Sequence, residues 1–447
     1  MGERWQRAME GEGQIVLLAG EAGIGKSRLL LALKEVIGDD PHFQIEFQCS
    51  PYHTDSAFHP IARQLERGAG ITLGEDVSAK LDKLSKLVGG DDLDCTAVAT
   101  LMGLPAQSLI GSTELTPQQL KIRATDVLWR YLRGLADKKP VLLVFEDLHW
   151  IDPSSQEFLN RIATALADTR LLCVMTYRTE YQAPFLSSRN VTALMLPNLG
   201  RADTEEMVGA VAERYVGREL LDKLVAQTDG IPLFVEEMTK SVIESEASDP
   251  EVPATLHASL LSRLDRLGEA KEIAQIGAVI GREFDYRLLE IVAERHPDEL
   301  AAAISRLVGA SLVFQSGVPP DARYSFKHAL VQDAAYSSLL KSRLEVLHGR
   351  IANALEQEFP AVAADEPEIL ARHHTAAGNT EPAIEYWRLA GERAYSLSSG
   401  SEACSHLERS ISLLETLPPG NSRDAAELAD TSCSCRRITA HQGTRRH

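Results

Sequence analysis

Apolar positions change their period partway along the chain. Up to about residue 200, short and nearly continuous apolar runs alternate with stretches whose apolar residues recur every three to four positions. The runs are Gln14–Ala19, Phe43–Gln48, Val141–Phe145, Leu171–Tyr177 and Val191–Leu196. Their length predicts strands, buried where the apolar run is continuous and half-buried at the alternating Phe43–Gln48. Helical spacing fills the intervals: Lys26 to Ile37, stopped by Gly38, and most of 57–135, broken at Gly68–Gly70, Gly89–Asp92 and Gly111–Thr113. Alternation of this kind builds a parallel sheet with helical crossovers. Residues 1–200 are therefore expected to form an α/β core.

From Arg201 the strand pattern nearly vanishes. Residues 201–250 read as a small helical lid, broken mainly at Gly230-Ile231-Pro232, and the acid-, Ser- and Pro-rich Ser245–Pro253 reads as a linker. Across 251–362 helices return, and two β-like runs, Leu312–Gln315 and Arg323–Phe326, flank the turn Gly317–Pro320. Helices plus a short hairpin predict a winged-helix-like module. Residues 363–418 hold helices at Glu368–Ala377, Glu381–Ser396 and Ser401–Leu417, with Ala377, Gly378, Ala383, Gly391 and Ala394 permitting close packing. Their spacing suits tetratricopeptide-like hairpins of about 34 residues, at most two of them, where about three or more usually stand alone. After a brief helical pattern at Arg423–Ala429, residues 419–447 lose apolar periodicity and are expected to be disordered.

Composition narrows the function. Lys and Arg number 46 against 64 Asp and Glu, a net charge of −18. That balance opposes a protein whose main task is to coat nucleic acid. No apolar run approaches the ~18 residues of a membrane span. The start, Met1-Gly-Glu-Arg-Trp-Gln-Arg7, has no apolar stretch of a signal peptide, and Gln6 stands where a myristoylation pattern needs Ser or Thr. The six cysteines include no C-x-x-C pair. They read as reduced thiols of a cytoplasmic protein.

Gly20-Glu-Ala-Gly-Ile-Gly-Lys-Ser27 matches G-x-x-x-x-G-K-[ST] between a predicted strand and a predicted helix. Glycines let successive N–H groups curl around an anion, and the helix starting near Lys26 aims its positive end at it. Lys26 is placed to reach the β- and γ-phosphates, and the Ser27 hydroxyl to ligate Mg²⁺. The nucleotide-binding set is then Gly20, Gly23, Gly25, Lys26, Ser27 and the adjoining Arg28. Such a loop needs an acid at the end of a buried strand. Val141–Phe145 runs into Glu146 and Asp147. By position, Glu146 joins Ser27 in the magnesium sphere and Asp147 polarises the attacking water, although this order departs from the usual Asp-first pair. Arg178, at the end of the Leu171–Tyr177 run, has two readings on spacing alone: a sensor of the γ-phosphate or a surface salt bridge.

Glu146-Asp-Leu-His-Trp-Ile-Asp152, Thr176-Tyr-Arg178, Gly230-Ile-Pro-Leu-Phe-Val-Glu-Glu237 and Phe326-Lys-His-Ala-Leu-Val-Gln-Asp-Ala-Ala-Tyr336, taken in order, resemble the STAND-type AAA ATPases. The likeness is to the Orc1-like ATPase region of soluble adenylate cyclase-like proteins and LuxR-type regulators, and runs from about residue 4 to 428. It implies that Pro232 sits against adenine and that His328 senses ADP from the winged-helix module; a core or capping histidine is the alternative. His149 and Trp150 belong to the signature and are read as packing residues. Relatives carry a Gly-Arg-Glu segment before the first helix, which this sequence lacks, and it holds no cyclase catalytic domain. The stretch His441–Arg446 can be encoded by bases that, one nucleotide on, spell a continuation similar to the family's. A frameshift is the resulting expectation, tested by reading the gene in the other frame for further helical repeats.

These readings converge on a slowly hydrolysing ATP/ADP switch with Mg²⁺, whose tetratricopeptide-like helices contact a protein partner and which forms nucleotide-dependent homo-oligomers, without nucleic acid or membrane. Two alternatives stand beside it. One is a scaffold fragment that has lost nucleotide binding; the other is an Orc1-like motor acting on DNA.

Overall fold

The computed structural model describes residues 1–38, 40–72, 75–104, 115–184, 190–213, 215–244 and 255–417. The expected break at 111–113, the linker 245–253 and the tail 419–447 lie outside these residues.

Five strands, β1 (Gln14–Ala19), β2 (Phe43–Gln48), β3 (Val141–Glu146), β4 (Leu171–Tyr177) and β5 (Val191–Met195), form one sheet in the order β2-β3-β4-β1-β5. Every pairing is parallel, for example Val16 with Val174 and Val144 with Val174. Helices cover both faces, so the three central strands are buried along their length apart from Glu146. Alternate side chains then enter opposite cores. Ile15, Leu17, Leu143, Phe145, Cys173 and Met175 face one core. Val16, Leu142, Val144, Leu172 and Val174 face the other, with Trp5 of α1 (Gly2–Met9) and Leu30 and Leu33 of α2 (Lys26–Ile37). The first core is closed by α3 (His59–Ala69), α4 (Val77–Val88), α5 (Asp92–Leu101), α6 (Pro117–Lys138) and α7 (Pro153–Ala165). Thr116 starts α6 with a capping box, and Asp152 caps α7.

Three helices follow: α8 (Arg201–Ala212), α9 (Arg218–Thr228) and α10 (Pro232–Glu244). They share a small core of Val208, Leu224, Val235, Met238 and Val242. A larger second core belongs to α11 (Leu256–Arg266), α12 (Glu269–Ile280), β6 (Glu283–Asp285), α13 (Tyr286–Ala293), α14 (Pro297–Gly309), β7 (Val313–Ser316), β8 (Arg323–Phe326), α15 (Ala329–Ser337) and α16 (Lys341–Glu358). Its antiparallel sheet has the order β6-β8-β7. The expected hairpin is present, one residue later at β7, and β6 adds a strand the pattern does not announce. At three residues it is too short to show a period and exists by pairing Glu283 with Ser325.

The chain ends in α17 (Pro360–Asp365), α18 (Pro367–Ala377), α19 (Thr380–Ser396) and α20 (Gly400–Leu414). Gly391 lets α19 approach α20 closely; a Cβ there would lie 2.7 Å from Leu407. These helices return to the first core. The buried Glu402 accepts from the Ser154 N–H at 3.0 Å, Ser154 donates to Ser399 at 3.0 Å, and Arg63 pairs with Glu366 at 2.6 Å. Among the described residues, no helix is long and apolar enough to cross a membrane.

Candidate nucleotide site

β1 delivers the chain to the Gly20–Ser27 loop, and α2 leaves it. Gly23 and Gly25 adopt φ of +80° and +99°, conformations that a side chain disfavours. At Gly23 space forbids one as well, since a Cβ would lie 2.9 Å from Leu233. The Leu233 N–H donates to the Gly23 carbonyl at 3.1 Å. The turn containing Pro232, first residue of α10, therefore rests on the loop.

Lys26 is 9% exposed, and its ammonium donates to the carbonyls of Gly20 at 2.7 Å and Glu21 at 2.8 Å. Burial lowers its pKa, with Asp147 opposing and Arg178 adding to the shift. A buried cation held by loop carbonyls, at the mouth of a left-handed glycine turn, fits an anionic polyphosphate. The Ser27 hydroxyl donates to Glu146 at 2.9 Å. Burial raises the Glu146 pKa, the Ser27 bond lowers it and Asp147 raises it. This hydroxyl–carboxylate pair is an oxygen-donor set of the type that holds Mg²⁺ between protein and phosphate. The residues fit both groups.

Asp147 leaves β3 with φ +60°, and its N–H donates to the Thr176 hydroxyl on β4 at 3.0 Å. Its carboxylate accepts from Gln48 at 3.3 Å and forms an ion pair with Arg282 at 3.1 Å. Arg282 follows α12, so the larger second core contributes a cation to the acid that the sequence assigns to water activation. Gln48, Thr176 and Arg282 escaped the sequence reading. Thr176 lay inside a motif quoted for its arginine, Gln48 merely ends an amphipathic edge strand, and Arg282 has no local signal because its partner is 135 residues away.

Arg178 leaves β4, which lies between the loop strand β1 and the acid strand β3. Its guanidinium covers the Trp150 ring, 5.2 Å from the centroid. The surface salt-bridge alternative finds no partner among the described residues. His149 packs on Trp150 at 4.2 Å, and both its ring nitrogens are buried without a hydrogen bond. Burial pulls its pKa down to about 4, against Asp147. His328 begins α15; its Nε2 is buried and unpartnered, and burial lowers its pKa to about 4, helped by Lys327 and opposed by Glu236. Lys327 in turn pairs with Glu236 of α10 at 2.9 Å. His328 thus stands beside the α10 and Arg282 junction. Arg28 is not brought to the loop. Its exposed side chain pairs with Glu35 at 3.4 Å two turns along α2, because the helical period turns it about 200° from Lys26.

Asp152 holds the motif to the core. Its Oδ1 accepts from the Phe58 N–H at 2.9 Å and the Ser155 N–H at 2.8 Å, while Oδ2 is buried and unpartnered. Burial raises its pKa from 3.8 to about 7, against the Ser155 bonds. A carboxyl with a raised folded-state pKa favours the folded state when protonated. Stability contributed here falls as pH rises from about 4 to about 7 and then levels. Asp152→Asn, neutral throughout, is expected to flatten that part of the melting-temperature profile; a profile identical to the parent's would contradict the assignment.

This loop, acid pair and strand order define a P-loop nucleotide-binding core. Residues 3–175 match the model of the AAA ATPase domain family. An uncharacterized protein of Rhizobium meliloti (strain 1021) is 29% identical over 443 residues, 96% of this chain and 43% of its own. The chain spans less than half the length of that curated relative. Among solved structures, a signal transduction ATPase with numerous domains (STAND) carrying a tetratricopeptide repeat sensor, from Pyrococcus horikoshii, aligns at 13% identity and TM-score 0.46, covering 98% of this chain and 68% of its own. A Walker-type ATPase of Pyrococcus abyssi aligns at 13% identity and TM-score 0.34, covering 74% of this chain and 94% of its own.

Proposed function

We propose that this chain is an ATP-operated regulatory switch of the STAND type. The observation that carries the reading is the Arg282–Asp147 ion pair, which ties the larger second core to the acid assigned to water activation. Mg-ATP binds through Gly20–Ser27, with Ser27 and Glu146 holding the ion and Lys26 the β- and γ-phosphates. Pro232 lies against adenine, Arg178 senses the γ-phosphate and His328 senses ADP from a winged-helix-like module at 251–362. Residues 201–250 act as a lid. In the resting ADP state Arg282 restrains Asp147, and hydrolysis is slow. When the two cores separate, Asp147 is released and the tetratricopeptide-like helices of 363–418 become available to a protein partner or a second copy. The setting is a cytoplasmic signalling or transcriptional pathway.

Arg282→Ala tests this directly. A partly exposed ion pair is worth up to about 1 kcal/mol, so steady-state phosphate release should rise by up to about fivefold. Unchanged or slower turnover in a variant that still binds nucleotide would contradict the restraint.

A further inference from the structure

Away from the nucleotide site, His53, His59 and Glu366 converge. One donor atom from each lies within 4.8 Å of the other two. His53 and His59 come from the turn that follows β2 and from the start of α3, while Glu366 precedes α18, more than 300 residues away in sequence. The two imidazoles stack at 3.5 Å with an interplanar angle of 4°. Two donor atoms have no hydrogen-bond partner although buried: Nδ1 of His59 and Oε2 of Glu366. Leaving such atoms unpaired costs free energy, on the order of 1–3 kcal/mol each.

We propose that His53, His59 and Glu366 form a zinc site that clamps the C-terminal helices to the ATPase domain. Two imidazoles and one carboxylate are a recurrent zinc donor set, with the fourth position left to water. Tetrahedral zinc places its donors about 3.3 Å apart, so groups up to 4.8 Å apart draw in by up to about 1.5 Å, and one of the two parallel imidazoles rotates out of the stack to aim its nitrogen at the ion. Outer partners orient them. Arg63 donates to Oε1 of Glu366 at 2.6 Å, leaving Oε2 for the ion, and Nδ1 of His53 faces the Ser56 hydroxyl at 3.3 Å, leaving Nε2. Of the cationic neighbours, Arg63 also pairs with Glu66 at 2.9 Å, and Arg372 lies 3.9 Å from Asp55, which Arg409 holds at 2.6 Å. A cavity of about 270 Å³ lined by His53, His59 and Glu366 gives the ion an entrance.

The clamp would join the helix that begins the C-terminal array to a segment five residues beyond Gln48, itself bonded to Asp147. Zinc would then favour the closed arrangement without touching the nucleotide.

The test uses the full chain, stripped with chelator and dialysed against zinc chloride. One zinc per chain is expected, with a rise of ~2 °C or more in the melting midpoint at a hundredfold excess over Kd. His59→Phe keeps a stacking ring and Glu366→Gln keeps the Arg63 contact; each should weaken zinc binding about tenfold or more. Cobalt substitution should show visible absorption in the parent and lose it in both variants. A zinc-free parent, or equal zinc retention by two variants that still melt cooperatively, would overturn the site.

Discussion

Lys26→Ala weakens ATP binding by about a hundredfold or more while leaving the chain folded. Hydrogen bonds to charged groups are worth about 1.5–3 kcal/mol each, and removing two such bonds to phosphate costs roughly 3–6 kcal/mol. The lysine is well placed to deliver that energy. Its ammonium rests on the Gly20 and Glu21 carbonyls rather than on a carboxylate, so no strong ion pair must be broken when an anion arrives. The fold should tolerate the change, because the sheet cores do not use this side chain. Titration with a fluorescent ATP analogue, beside a thermal melt, reads both effects. A variant that binds as tightly as the parent would remove Lys26 from the site.

Asp147→Asn is the second large effect. Turnover should fall by about a hundredfold or more with nucleotide affinity nearly intact, the signature of a group that acts in the hydrolytic step. The amide keeps the shape of the carboxylate and the N–H bond to Thr176, so geometry is preserved. It cannot accept a proton from water as the carboxylate can. Arg282→Ala placed in this background should give no acceleration, since the restrained group is already gone. Glu146→Gln distinguishes the two acids: it should raise the Mg²⁺ concentration needed for binding, because its partner Ser27 belongs to the same oxygen set. If Glu146→Gln instead abolished hydrolysis while Asp147→Asn did not, the two roles would be exchanged.

Much of the nucleotide-binding core was legible because its determinants are local. A strand buried on both faces must be largely apolar, and β1, β3 and β4 are, apart from Gln14, Glu146 and Thr176 near their ends; a phosphate loop needs its glycines and lysine within eight residues. Arg28 shows where adjacency misleads, since two steps along a helix turn a side chain to the opposite face. The contacts that join the parts left no mark in the sequence. Arg282 reaches Asp147, Gln332 donates to Tyr52 at 2.7 Å and Glu402 reaches Ser154 only because distant elements dock. Such pairs have no period or spacing, and each residue alone reads as an ordinary surface polar group. His53 and His59 read the same way until Glu366 is brought to them.

Acid release and chromatography of the purified chain read which nucleotide it carries. The switch predicts close to one ADP per chain, absent from Lys26→Ala. A folded parent that is empty and also fails to take up added Mg-ATP would contradict it.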